Sequence, residues 1–121
     1  SVVRYVGIYD ADGGLAGELR YVVGHLLGTA ECALCDITHS PVRRRPAWDR
    51  MVAALGLPFE LRHRNELDTA LTAALRGVAL PTVVAELADG RIVEVVDRTA
   101  LAGCGGSIER FAEVLAARAP R

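Results

Sequence analysis

Residues 80–96 read LPTVVAELADGRIVEVV and contain two apolar, β-branched runs separated by a Gly-bearing turn. The first run is Thr82 to Leu87 and the second is Arg91 to Val96. Because β-branched residues favour extended backbone, an Asp-Gly pair between two such runs is typical of a hairpin with a primed turn. We therefore predict an antiparallel β-hairpin with Asp89 and Gly90 in its turn.

Alternating strand and helix signals surround this hairpin. Val2 to Tyr9 is β-branched and aromatic, and Phe59 to Arg64 alternates apolar and polar residues, so both are predicted strands. No low-complexity linker interrupts the chain, and residues 1–121 are predicted to form a single domain. Apolar residues at helical spacing, with Gly or Pro near the helix ends, predict helices over Leu15 to Gly28, Pro46 to Leu55, Asp68 to Gly77 and from Ser107 onward.

The predicted order of strand, helix, helix, strand, helix, strand, strand, helix resembles the thioredoxin-like fold. In that fold two parallel strands joined by a helical crossover are followed by a helix, an antiparallel hairpin and a closing helix. The resemblance is most specific at Leu80-Pro81-Thr82, because the family carries a cis-proline at the start of its third strand. It implies an α/β fold with a central four-stranded mixed sheet flanked by helices, in which Pro81 is cis and lies beside a reactive dithiol.

The paired cysteines are displaced relative to the family pattern. A CxxC usually follows the first strand at once, whereas here Cys32 and Cys35 come after the predicted helix Leu15 to Gly28. If this helix and the CxxC loop are an insertion after the first strand, the cysteines lie at the same end of the sheet as Pro81. If the helix is instead the family's first helix, they lie at the opposite end. We favour the insertion. With this arrangement, the chain resembles a small, divergent, bacterial-type member of the thioredoxin-like superfamily.

Composition and charge exclude several classes of function. The 14 basic residues are all Arg and face 15 acidic residues, so no net field attracts nucleic acid or an anionic membrane. The absence of Lys excludes Schiff-base chemistry and a phosphate-loop lysine. Asp10-Ala11-Asp12-Gly13 resembles the nucleophile loop of haloacid-dehalogenase-type phosphatases, but that family needs a downstream Lys, and an acidic turn is preferred. No apolar run is long enough for a secretion signal or a membrane span, which predicts a cytoplasmic protein.

A dithiol in a reducing compartment is typical of thiol redox chemistry or of soft-metal binding. In the redox hypothesis Cys32 attacks a disulfide of a protein or a small molecule, Cys35 resolves the mixed disulfide, and Pro81 shapes the docking groove. Cys104 lies in a Gly-rich loop just before the last helix, and the helix N-terminus is expected to lower its pKa if the sulfur points at the free N–H groups. Alternatively, Cys104 is a small, buried apolar residue of this loop. The carboxylates of Glu31 and Asp36, which flank the pair, raise thiol pKa values and favour a mild reductase.

The metal hypothesis uses the same cysteines. Cys32, Cys35 and His39 have a spacing that suits zinc at four-coordination or cuprous copper at three-coordination. The fourth ligand would be Cys104, His25 or Asp36. Alternatively, His39 acts as a base that activates a thiolate. A noncatalytic adaptor that keeps the thioredoxin-like fold is a third hypothesis, and the sequence names neither a substrate nor an oligomeric state.

Three ring-bearing side chains are predicted to be structural. Trp48 and Phe111 fall on apolar helix faces and are expected in the core. His63 alternates onto the same face as Phe59 and Leu61, which favours a core or edge histidine over a metal ligand.

Overall fold

In a computed structural model, which describes residues 1–10, 33–38 and 46–120, a four-stranded mixed β-sheet is flanked by helices. The predicted strands are confirmed, and so are the helices that begin at Pro46, after Asp68 and after Ser107. The predicted helix Leu15 to Gly28 lies outside the described residues. In chain order the elements are β1 (Val2–Tyr9), α1 (Ala33–Thr38), α2 (Pro46–Leu55), β2 (Phe59–His63), α3 (Thr69–Ala74), β3 (Thr82–Leu87), β4 (Ile92–Val96), α4 (Arg98–Gly103) and α5 (Ile108–Arg118).

The strand order in the sheet is β2-β1-β3-β4. β1 pairs in parallel with β2, whereas the β1–β3 and β3–β4 pairs are antiparallel. Tyr9 is in register with His63, and Ile8 is in register with Thr82. The ends of β1 and β2 and the start of β3 therefore meet at one edge of the sheet, which we call the Tyr9 edge (Tyr9, His63, Pro81 and Thr82).

Aromatic side chains form the centre of the core on one face of the sheet, which we call the first face. Tyr5 stacks on Phe59 with ring centroids 5.7 Å apart, and Trp48 meets Phe59 edge-on at 4.9 Å. Phe111 lies 5.5 Å from Trp48. The predicted core positions of Trp48 and Phe111 are confirmed, since the two side chains are 1% and 0% exposed. Residues of α1, α2, α4 and α5 complete this core.

Polar residues at the helix starts explain where three of the helices begin. The carboxylate of Asp68 accepts a hydrogen bond from the backbone N–H of Leu71, and the hydroxyl of Ser107 accepts one from that of Arg110. Asp97 caps α4 in the same way, through the N–H of Ala100. The sequence pattern of residues 97–103 does not predict this helix, because a helix of six residues is too short to show a hydrophobic period.

The hairpin turn differs from the primed turn predicted by its Asp-Gly pair. Gly90 has a φ of +89°, but Asp89 does not share a positive φ, which a type I′ turn requires at both central residues. The N–H of Gly90 donates to the carbonyl of Leu87 at 2.9 Å, and the N–H of Leu87 donates to the carbonyl of Arg91 at 2.8 Å. The loop is therefore a three-residue connection in which Gly90 supplies the left-handed position after a type I turn.

A row of ion pairs crosses three strands on the opposite, second face of the sheet. Arg4 on β1 donates to Glu60 at 2.7 Å and to Glu86 at 2.8 Å, and Arg62 donates to Glu60 at 2.6 Å. The hydrogen bond from Arg4, followed by the one from Arg62, lowers the pKa of Glu60. Apolar residues of this face, Val6, Ile8 and Val84, pack against Leu71 of α3.

We expect these ion pairs to make stability fall in acid. Because the pKa of Glu60 is lower in the folded chain than its unfolded value of about 4.3, its contribution is complete above that value. The contribution is lost as the pH falls through the folded pKa. The expected size is below about 1 kcal/mol, since the side chains of Arg4 and Glu60 are 20% and 34% exposed and solvent screens the pair.

Urea unfolding at about pH 7 and about pH 3.5 measures this contribution. Glu60→Gln should lose less stability between the two pH values than the unsubstituted protein, because the titrating carboxyl is gone. Glu113→Gln, on an exposed position of α5, should lose as much as the unsubstituted protein. An equal loss in Glu60→Gln and Glu113→Gln would show that the ion pair does not contribute to the acid sensitivity.

Candidate functional site

Three of the predicted site residues lie within the described residues. Cys35 is on α1 and is 7% exposed, Cys104 ends α4 and is 4% exposed, and Pro81 is buried immediately before β3. Cys32 and His39 lie outside the described residues, as does His25. The geometry of the site is therefore built from Cys35, Cys104 and Pro81 and from what surrounds them.

Helix α1, which carries Cys35, packs over the second half of β1. A Cβ on Gly7 would lie 3.1 Å from a methyl carbon of Leu34, so the glycine allows this close approach of helix to strand. At the other end of α1, the hydroxyl oxygens of Thr38 and Tyr9 are 2.7 Å apart. Cys35 lies between these two attachments and belongs to the core of the first face. The helix of Cys35 is thus tied to β1 next to the Tyr9 edge.

Pro81 stands at the Tyr9 edge. Its peptide bond with Leu80 is cis, which confirms the predicted isomer. The next residue, Thr82, is fully buried, and its hydroxyl lies 2.6 Å from a carboxylate oxygen of Glu94 and 3.2 Å from the carbonyl oxygen of Val96. Because Thr82 is in register with Ile8, Pro81 lies at the same end of the sheet as Tyr9.

Cys104 does not have the environment that was expected from its place near a helix N-terminus. It caps the C-terminal end of α4, and its thiol donates to the carbonyl of Ala100 at 3.4 Å. Burial raises the pKa of the Cys104 thiol, and the positive charges of Arg110 and Arg118 offset this only in part. The condition for a lowered pKa is therefore not met, and the alternative of a small buried residue is confirmed. The physical reason is that the sulfur lies in the apolar core, where a thiolate loses hydration.

The two described cysteines belong to the same core. Cys35 and Cys104 are both in the first-face core, and α1 contacts α4. No disulfide joins them. The arrangement keeps two thiols out of solvent in neighbouring helices, which suits a protected thiol better than an exposed attacking one.

The predicted metal ligands fall only partly within the described residues. Within residues 1–10, 33–38 and 46–120, no group of three or more His, Cys, Asp or Glu residues is arranged to hold a metal ion. Of the four predicted ligands, Cys35 and Cys104 fall in this part of the chain, and Cys32 and His39 do not. The zinc or copper site stays a prediction.

Polar groups that the sequence pattern did not predict lie at this end of the sheet. His63 Nδ1 is 2.7 Å from a carboxylate oxygen of Glu66, and the same oxygen accepts a hydrogen bond from the backbone N–H of His63. The backbone hydrogen bond is the main cause of the lowered pKa of Glu66, and the contact with the His63 ring adds to it. The His63 ring lies 5.1 Å from the ring of Tyr9, so the prediction of a core or edge histidine is confirmed. The alternation of β1, which puts Tyr5 and Tyr9 on one face, is the signal that could have found Tyr9.

Comparisons with protein-family models, with curated proteins and with solved structures give no match to this chain. Among the described residues, no helix has the length and the apolar character that crossing a bilayer requires. The interpretation of the site therefore rests on the geometry above.

Proposed function

We propose that this chain is a thioredoxin-like, thiol-dependent redox protein that exchanges its Cys32–Cys35 dithiol with a disulfide. One observation carries the proposal: Cys35 is buried on a helix whose Thr38 is hydrogen-bonded to Tyr9, at the sheet edge that also holds Pro81. This geometry agrees with the arrangement in which the helix before the cysteines is an insertion, and it disfavours cysteines at the opposite end of the sheet.

The sheet topology also supports the proposal. A parallel β1–β2 pair, an antiparallel β3–β4 hairpin and a closing helix follow the order that the thioredoxin-like resemblance implies. The cis-proline at Pro81 stands where that resemblance expects it, at the start of β3. Together these features favour the family interpretation over an unrelated α/β fold.

The proposed reaction has two balanced steps. The Cys32 thiolate attacks one sulfur of the substrate disulfide, so a Cys32–substrate disulfide forms, the substrate S–S bond breaks and the other substrate sulfur leaves as a thiolate. Cys35 then loses its proton to solvent and attacks the Cys32 sulfur, which forms the Cys32–Cys35 disulfide and releases the second substrate thiolate. Two electrons pass from the dithiol to the substrate, and the protons lost by the two cysteines match those that the products take up.

The roles follow from burial. Cys35 has the protected position expected of a resolving thiol, which needs only to meet a sulfur already bound to Cys32. Pro81 would border the groove in which the substrate docks. Cys104 needs no role in the two steps, because its buried thiol has a raised pKa. The acidic neighbours Glu31 and Asp36 in the sequence favour a mild reductase rather than a strong oxidant.

Thiol counting on purified protein tests this function. The reduced protein is incubated in glutathione buffers of graded potential, alkylated in acid and analysed by peptide mass spectrometry. We expect two of the 3 cysteines to be lost together and recovered with dithiothreitol, with the new bond mapped to Cys32 and Cys35. Three alkylated thiols across the whole range of potentials would rule out the redox function.

The same preparation tests the competing interpretations. Protein purified without chelator is analysed for zinc and copper, and the analysis is repeated on Cys35→Ser. One metal ion per chain that Cys35→Ser loses would support the zinc or cuprous-copper site instead. If the protein shows no redox couple and binds no metal, the results favour the noncatalytic adaptor.

A further inference from the structure

We infer that Tyr9 is a positioning residue that holds Cys35 in its buried place through the hydroxyl of Thr38. The Tyr9 side chain is 3% exposed, and the Thr38 side chain with which it shares a hydrogen bond of 2.7 Å is fully buried. This contact joins residues 29 positions apart in the chain. It connects the sheet directly to the short helix that carries the proposed resolving cysteine.

Two hydrogen-bond contacts connect the sheet to the backbone of Cys35 through the Thr38 hydroxyl. The Thr38 hydroxyl lies 3.5 Å from the carbonyl oxygen of Cys35, one helical turn earlier, to which it can donate. Either oxygen of the Tyr9–Thr38 pair can be the donor, and when Thr38 donates to Cys35 it accepts from the phenol of Tyr9, because a hydroxyl has one proton. The Tyr9 ring in turn lies against the ring of His63, whose Nδ1 is 2.7 Å from Glu66. The His63 ring on β2 therefore orients the Tyr9 ring, whose hydroxyl contacts Thr38 of α1.

Helix α1 depends on such contacts for its position. It has six residues, and a helix of that length has little stability of its own in water. The described contacts that place it are apolar ones, such as Leu34 over Gly7, together with the hydroxyl pair at its end. Apolar contacts tolerate sliding, whereas a short hydrogen bond between buried hydroxyls fixes one geometry. Losing that bond should increase the fraction of molecules in which α1 moves away from β1 and exposes Cys35.

Alkylation of Cys35 measures this opening without any redox reaction. In a Cys32→Ser background, Tyr9→Phe and Thr38→Val should each raise the rate of Cys35 alkylation by iodoacetamide about five- to tenfold. Cys104 in the same molecules is held by its own hydrogen bond to Ala100, and its rate should stay within about twofold of the parent protein. Thr38→Ser keeps the hydroxyl and should restore a rate near that of the parent.

A matched control separates the hydroxyl from the aromatic ring. Tyr5→Phe removes the same group from the same face of β1, and Tyr5 keeps its stacking partner Phe59. This variant should not change the alkylation rate of Cys35. Equal rates for Tyr9→Phe, Tyr5→Phe and the parent protein, or equal increases at Cys35 and Cys104, would overturn the positioning role.

A second measurement rests on the proposed function and deepens it. Reduced protein with all three cysteines reacts with an aromatic disulfide whose thiolate absorbs visible light. In Tyr9→Phe the first thiolate should be released at the parent rate, because Cys32 makes that attack, and the second about five- to tenfold more slowly, because Cys35 is less well placed. If the parent protein releases no second thiolate, the proposed function fails while the alkylation result stands. If both steps are unchanged in Tyr9→Phe, the positioning role fails while the function stands.

Discussion

Phe111→Ala should destabilise the folded protein by about 3 to 5 kcal/mol, which is the usual cost of removing a buried phenylalanine ring. Phe111 is completely buried and lies 5.5 Å from Trp48 and 6.1 Å from Phe59, between ring centroids. Its ring therefore joins α5 to α2 and to β2. A domain of this size has a total stability of about 5 to 15 kcal/mol, so the substitution removes a large part of it.

Urea unfolding followed by Trp48 fluorescence measures this loss, and circular dichroism provides a second probe. Phe111→Leu keeps most of the buried apolar volume and should lose clearly less. Val3→Ala, at a side chain 44% exposed, should lie within about 0.5 kcal/mol of the parent. A loss below about 1 kcal/mol in Phe111→Ala would show that α5 does not pack on the aromatic cluster as described.

The strands were predictable because their information is local. Alternation in Phe59 to His63 and β-branched residues in β1, β3 and β4 predict the extended backbone. The turn type was not predictable from the Asp-Gly pair. A glycine at position 90 suits both the predicted primed turn and the observed three-residue loop, but the primed turn also requires a positive φ at Asp89, which the structure does not have. The choice between the two depends on how the strands twist and pair.

The short helices α1 and α4 could not be predicted from the local sequence. Each has six residues, so neither displays a full hydrophobic period. Helix α1 is placed by contacts from Leu34 to Gly7 and from Thr38 to Tyr9, and the partners are far apart in the sequence. The helix propensity of the local sequence does not indicate such contacts, because tertiary packing supplies most of the stability of short helices.

The condition for a lowered pKa at Cys104 fails for a related reason. Its position before α5 indicated a helix N-terminus, which stabilises a thiolate only if the sulfur points at free N–H groups. The sequence could not show that residues 98–103 form α4 and that the thiol donates back to Ala100 within it. Side-chain direction, rather than chain position, therefore decides whether burial or the helix dipole sets the pKa of the thiol.

Cys35→Ser should slow the release of the second substrate thiolate by about a hundredfold or more, because no sulfur is then positioned to attack the Cys32–substrate disulfide. The first thiolate should still be released at the parent rate. The protein should accumulate as a mixed disulfide at Cys32, with a mass increase equal to one substrate thiol less two hydrogen atoms. Serine is close to cysteine in size, so we expect Cys35→Ser to keep the native fold.

Single-turnover release of an aromatic thiolate, with mass spectrometry of the trapped adduct, measures this effect. Cys104→Ser is the matched control, since it removes the other buried thiol of the same core and should release both thiolates within about twofold of the parent rates. Release of the second thiolate at the parent rate in Cys35→Ser, with its loss in Cys104→Ser, would transfer the resolving role to Cys104. That result would also mean that the contact between α1 and α4 brings Cys104, despite its raised pKa, within reach of the disulfide at Cys32.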